Sequence, residues 1–213
     1  MNPHQVTRDF ERAVADFCGA PHCAAVNSCT MALLLACSWF TRCFNKPLFE
    51  IPSRTYVSVP MSIIHAGGRV AFREEPWSGA YQLKPWPIWD SARRFRAGMY
   101  EETGGFVCVS FHASKSLGIE QGGAILCRDP DADTYFRRSR FDGRAEGVAP
   151  KNDSFPALGW HCYMIPSTAA QGLLRLYSLR RDLPDLPNDD YPDLSKLSIF
   201  QQRGAKSVAE AAE

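Results

Sequence analysis

Almost no net charge remains on this chain: 24 basic and 23 acidic side chains leave +1. That balance argues against a nucleic-acid coat or a polybasic membrane surface, both of which need an excess of Lys and Arg. Long hydrophobic runs are also missing, and the most apolar stretch, Met31 to Phe40, is too short to span a bilayer. The opening residues, Met1-Asn-Pro-His-Gln-Val-Thr-Arg-Asp, have no basic-then-apolar pattern, so no secretion is expected. No two of the eight cysteines form a CxxC pair. Cys18, His22, Cys23 and Cys29 fall close together, yet their spacing matches no common zinc pattern, and no metal is expected. Several cysteines sit inside apolar runs, where the thiol behaves as a small hydrophobe. Reduced thiols in a cytoplasmic protein are the expectation. A GxSxG elbow is absent, as is a GxGxxG turn after the first strand, which speaks against a hydrolase and a dinucleotide-binding protein.

What is present is an ordinary globular composition, 45% hydrophobic and 22% charged over 213 residues, enough for one large or two small domains. Short apolar strands alternate with helical stretches, the pattern of an α/β fold with a largely parallel sheet. Phe10, Ala13, Val14 and Phe17 follow the i, i+3, i+4, i+7 spacing of an amphipathic helix that Gly19-Ala-Pro21 ends. Strands are expected at 22–26, 47–51, 69–73, 87–90, 105–111 and 123–127. Helices are expected over about 30–43, 55–66, 129–140 and 166–181. A Gly-, Pro-, Asn- and Asp-rich loop covers 142–157. The segment 182–193 reads as an extended connection, and the last dozen residues as a frayed tail.

In an open α/β sheet, ligands collect beyond the carboxyl ends of strands. Lys115 lies just past the strand Val107 to Phe111, in a glycine-rich turn, where a lysine near a carboxylate suits a Schiff base with an aldehyde cofactor. Asn27-Ser28-Cys29-Thr30 follows the first strand and opens a helix, offering hydroxyls, backbone N–H groups and a dipole end to a phosphate. Alone, that turn would read as a helix cap. Asp90 ends another strand, where a carboxylate can keep a pyridine nitrogen protonated; alone, it would read as a turn aspartate. Ser110 could add a hydroxyl to the phosphate, and Tyr56 could stack on a planar ring. Taken together, these residues describe a pyridoxal phosphate site in chain order.

The same residues resemble the DegT/DnrJ/EryC1/StrS family of pyridoxal phosphate enzymes, the fold-type-I sugar aminotransferases. Asn27 to Leu34 is similar to the family's SGTxAL turn, and Ile51-Pro-Ser-Arg-Thr-Tyr-Val57 to its PSFTFV segment. Asp90-Ser-Ala-Arg93 resembles its DAAQ or DAAH segment. Ser110-Phe-His-Ala-Ser-Lys115 with Gly122-Gly-Ala124 resembles its SFHPTK and GEGGA pair. Gly159 to Met164 with Ala169-Ala170 is a fainter match to GYNYRM and QAAL.

The resemblance implies a three-layer α/β/α large domain like that of aspartate aminotransferase, over residues 1–181. Residues 182–213 would be a connection and tail, a vestige of a small C-terminal domain. It implies that Lys115 carries pyridoxal phosphate and moves the proton, while Asp90 pairs with the pyridine nitrogen and Tyr56 stacks on the ring. Ser28, Cys29, Thr30 and Ser110 would hold the phosphate. Arg93 stands beside the cofactor in place of glutamine or histidine, and His161 stands where an asparagine reaches the partner subunit's phosphate. Lysine rather than histidine at 115 implies transamination rather than dehydration. The amino group would pass from glutamate or glutamine to a keto sugar nucleotide or similar small ketone, in a homodimer. Cys29 takes the place of a glycine in the phosphate turn, and most of the C-terminal domain has no counterpart here. Those departures motivate an alternative, a catalytically impaired cofactor- or sugar-nucleotide-binding module that partners another enzyme.

Overall fold

The computed structural model describes residues 4–188, 190–201 and 206–207. Helix α1, Gln5–Cys18, buries Phe10, Val14 and Phe17 of the stripe its spacing predicts, with Ala13 partly buried and Cys18 buried beside them. It ends at Gly19, whose φ of 77° is the left-handed turn that glycine adopts without a Cβ penalty. Then follow β1 (His22–Val26), α2 (Cys29–Thr41), β2 (Leu48–Pro52), α3 (Ser58–His65) and β3 (Arg69–Arg73). The chain continues through β4 (Tyr81–Gln82), β5 (Ile88–Ser91), β6 (Phe106–Ser110) and β7 (Gly123–Cys127). Helix α4, Pro130–Ser139, starts on Asp129, whose carboxylate accepts the N–H groups of Asp131 and Ala132. Helix α5 (Pro166–Tyr177), α6 (Ser198–Gln201) and β8 (Lys206–Ser207) complete the described elements. Apart from β8, the expected tail lies outside the described residues.

Five strands form the main sheet in the order β1-β7-β6-β5-β4, and three more form a second sheet, β2-β3-β8. The second sheet is parallel throughout. The main sheet corrects the expectation of a largely parallel one: only β5 and β6 run parallel there, while β1–β7, β6–β7 and β4–β5 are antiparallel. The connections explain this. No helix lies between β6 and β7 or between β4 and β5, and without a crossover the chain returns beside the strand it has just left. Reciprocal bonds between Glu50 and Lys84, at 2.7 and 3.0 Å, stitch the two sheets together.

Alternate strand residues feed two cores. Ala24, Val26, Phe106, Cys108, Ile125 and Cys127 pack with α2, α3 and α4 on one face. Cys23, Ala25, Val107, Val109, Ala124 and Leu126 pack with α1 and α5 on the other. This is the expected three-layer arrangement. Its directions place the ends of β1, β5 and β6 and the start of β7 on one edge of the sheet. Helix α5 stops at Tyr177, four residues short of its expected end. After a turn and a bend the chain has neither helix nor strand through 183–188, in keeping with the three prolines and five aspartates of 182–193.

Candidate active site

A cavity of about 310 Å³ opens at that edge. Eight of the nine residues that the sequence singles out line it: Ser28, Cys29, Thr30, Tyr56, Asp90, Arg93, Ser110 and Lys115. The ninth, His161, stands apart in a neighbouring hollow that shares Gln121 with it. There His161 Nδ1 is 2.9 Å from Asp142 Oδ2, and its side chain is 70% exposed.

The floor is the start of α2. Ser28 is in extended conformation and its Oγ accepts the N–H of Met31 at 3.2 Å, which leaves the earlier amides of the turn to the cavity. Thr30 Oγ1 lies 2.9 Å from Ser58 Oγ, and Ser62 Oγ donates to the Thr30 carbonyl at 3.0 Å, so α3 clamps the turn. Strand β7 closes the clamp from below. A Cβ on Gly123 would fall 2.5 Å from the backbone of both Ser28 and Cys29, so only glycine permits this approach. Ser110 is buried at the end of β6, where its Oγ accepts the His112 N–H at 3.4 Å.

Asp90 is 5% exposed at the back wall. Tyr81 Oη donates to its Oδ2 at 2.8 Å and the Ala92 N–H to its Oδ1 at 3.0 Å. Burial pushes the Asp90 carboxyl above its ordinary range, against the pull of those two bonds and of the Lys115 and Arg93 charges. Lys115 is partly buried, in a turn closed by its N–H to the His112 carbonyl at 2.8 Å. Its charge reaches Asp90 and Cys29, which places all three in one electrostatic neighbourhood. Burial, with Asp90 behind it, pushes the Cys29 thiol up despite Lys115. The side chain that replaces a glycine therefore enters the cavity as a neutral thiol and adds no charge against a phosphate.

Tyr56 stands at the mouth, 58% exposed. The inner aromatic is Trp77, tilted against Tyr81 with ring centres 4.7 Å apart and stacked with Tyr191 at 6.2 Å. Arg93 reaches the cavity wall, but its guanidinium also holds the connection that follows α5. Its Nη1 donates to the Pro187 carbonyl at 2.6 Å and its Nη2 to Tyr191 Oη at 3.0 Å. Arg94 grips Asp185 with two bonds, at 2.8 and 2.6 Å. The connection thus straps the rim, with Tyr191 on the cavity wall. Trp77, Tyr81 and Tyr191 were not legible beforehand, because no motif or spacing marks them. Among the described residues no three His, Cys, Asp or Glu side chains gather as a metal would require.

The model of the DegT/DnrJ/EryC1/StrS aminotransferase family matches residues 2–75 and 90–183. Among curated proteins, none matches the chain. Solved structures that share the fold include the sugar aminotransferase CalS13 from Micromonospora echinospora, with 17% identity, a TM-score of 0.68, and coverage of 81% of this chain and 60% of that one. A DegT DnrJ EryC1 StrS aminotransferase from Brucella abortus gives 18% identity and a TM-score of 0.64, covering 81% and 58%. Helicobacter pylori PseC, an aminotransferase involved in the biosynthesis of pseudoaminic acid, gives 16% and 0.66, covering 82% and 58%. The chain thus spans about three fifths of the length of these structures.

Proposed function

The chain belongs to the DegT/DnrJ/EryC1/StrS aminotransferase family, and from that premise we propose that it is a pyridoxal phosphate-dependent transaminase. Residues 1–181 would form the cofactor-binding unit, and 182–213 the strap and tail. The observation that carries this reading is the meeting of Lys115, Asp90 and the α2 turn in one cavity. The residues fit the cofactor. The cavity has the size of a small-ligand site, and its floor is a hydroxyl-bearing helix start that β7 approaches only through Gly123.

When bound, the cofactor would supply an electron-poor ring that stabilises negative charge on the substrate's amino carbon. The rest falls to the chain's own groups. Ser28, Thr30 and Ser110 hydroxyls, with the first amides of α2, orient the phosphate. Asp90 holds a proton on the ring nitrogen by its negative charge. Lys115 Nζ would hold the cofactor through its aldehyde and would act as the acid/base that moves a proton from the substrate's amino carbon to the cofactor's aldehyde carbon. Cys29 and Arg93 complete the wall, and Tyr56 covers the mouth. His161, exposed beside Asp142, is the residue we expect to meet a partner subunit in a homodimer.

The amino donor we propose is glutamate or glutamine, and the acceptor a keto sugar nucleotide or similar small ketone. The eight cysteines are free, and reduced thiols suit the cytoplasm that we propose for the chain. No described helix is long and apolar enough to cross a membrane. Incubation with pyridoxal phosphate should produce a visible absorbance band that Lys115→Ala abolishes, and added glutamate should bleach it. The reading fails if no such band forms. A band that no amino donor changes would point instead to a binding module.

A further inference from the structure

Tyr81 reaches Asp90 from residues 76–89, which the family model passes over. We propose that Tyr81 is a positioning residue: its phenol, steadied by Thr55, aims Asp90 at the ring nitrogen and holds its negative charge in place. This rests on reading the cavity as a pyridoxal phosphate site.

The register explains the contact. Tyr81 and Asp90 are direct partners in the antiparallel β4–β5 pair, so their side chains leave the same face of the sheet. Tyr81 is 5% exposed, and burial, with Asp90 beside it, pushes its phenol well above the ordinary range. It therefore stays protonated and donates. Thr55 Oγ1 lies 2.6 Å from the same oxygen, and since Tyr81 gives its proton to Asp90, the threonine hydroxyl donates to Tyr81.

The groups around Asp90 show what the phenol adds. Cys29 from α2 and Cys108 from β6 face it as thiols that burial keeps neutral. Arg93 is engaged with Pro187 and Tyr191. The Lys115 ammonium helps only until its nitrogen binds the aldehyde. Among the described residues, Tyr81 Oη donates to one Asp90 oxygen and the Ala92 N–H to the other. Loss of the phenol would let the shared proton move from the ring nitrogen to the carboxylate, and the ring would lose electron-withdrawing power.

Tyr81→Phe and Thr55→Val test this in the full chain. Tyr81→Phe should retain pyridoxal phosphate about tenfold less tightly, as expected for one lost hydrogen bond to a charged group. The pH at which its visible band titrates should rise, because a less positive ring holds the proton at the lysine end more firmly. Thr55→Val, which leaves Tyr81 in place, should move both quantities in the same direction by less. Without cofactor, the Asp90 carboxyl signal, followed by carbon NMR against pH, should titrate higher in Tyr81→Phe than in the parent. A Lys115-dependent band that is unchanged in both variants would overturn the inference and leave the proposed function standing. Absence of that band in the parent would sink the proposed function, and an unmoved carboxyl titration would overturn the hold of Tyr81 on Asp90 independently.

Discussion

A Cβ built on Gly123 would stand 2.5 Å from the Cys29 nitrogen and the Ser28 carbonyl carbon, and neither backbone atom can step aside without opening the turn. Gly123→Ala should destabilise the chain by about 1–3 kcal/mol in urea unfolding, the usual cost of overpacking, and weaken binding of pyridoxal phosphate. Asp90 poses the opposite case, a residue whose presence costs stability. Its folded carboxyl titrates above the unfolded one. Between the two values the folded state binds more protons, so stability falls as pH rises through that window. Cofactor-free Asp90→Asn should therefore melt higher than the parent at neutral pH, with the difference closing below about pH 4, while losing the cofactor. At this scale the sequence was readable wherever a residue ends a strand. Ser28, Asp90, Ser110 and Lys115 all do so or follow closely. Tyr81 and Trp77 were not readable, since only the register of a two-residue strand brings Tyr81 in, and Trp77 follows by packing on it.

Helix α1 shows what periodicity can and cannot reveal. Its apolar stripe predicts the buried face, but Glu11, one residue past Phe10, is also buried at 3% exposure. It accepts the Ala25 N–H at 2.8 Å and pairs with Arg140 and with Arg137, the latter at 2.6 Å. Arg140 is itself fully buried and bonds the Ala25 carbonyl and Glu146. One carboxylate thus ties α1 to β1 and to the end of α4. Glu11→Ala would leave the Arg140 guanidinium buried and underpaired, so it should destabilise by about 3–5 kcal/mol in urea unfolding. A loss under about 1 kcal/mol would show that water replaces the carboxylate. Charge at a position beside an apolar stripe ordinarily signals solvent, which is why this tie stays hidden in the sequence.

Over the whole molecule, the order of the longer helices and strands was legible, while the short β4, α6 and β8 and the sheet directions were not. Helix–strand alternation suggests parallel strands, but the return of β7 depends on a connection without a helix, which periodicity does not weigh. The strap was legible as chain between elements and not as a wall. Its attachment rests on Arg93, Arg94 and Trp77, whose carbonyl accepts from Asn188 Nδ2 at 2.6 Å. The backbone of the strap is held where the Leu186 N–H meets the Arg93 carbonyl and the Leu194 N–H meets the Ser53 carbonyl. Trp77→Ala, which keeps the residue's own carbonyl but removes the ring stacked on Tyr191, should speed hydrogen exchange at Leu186 and Leu194 and leave the strands of the main sheet protected. Uniform acceleration would mean that Trp77 supports the fold rather than the strap.

All these scales converge on Lys115, and one measurement examines it directly. After incubation with pyridoxal phosphate and reduction with borohydride, peptide mass spectrometry should find the cofactor-derived mass on Lys115 at near-full occupancy. The same mass spread over Lys46, Lys84, Lys151 and Lys196, or absent, would contradict the account.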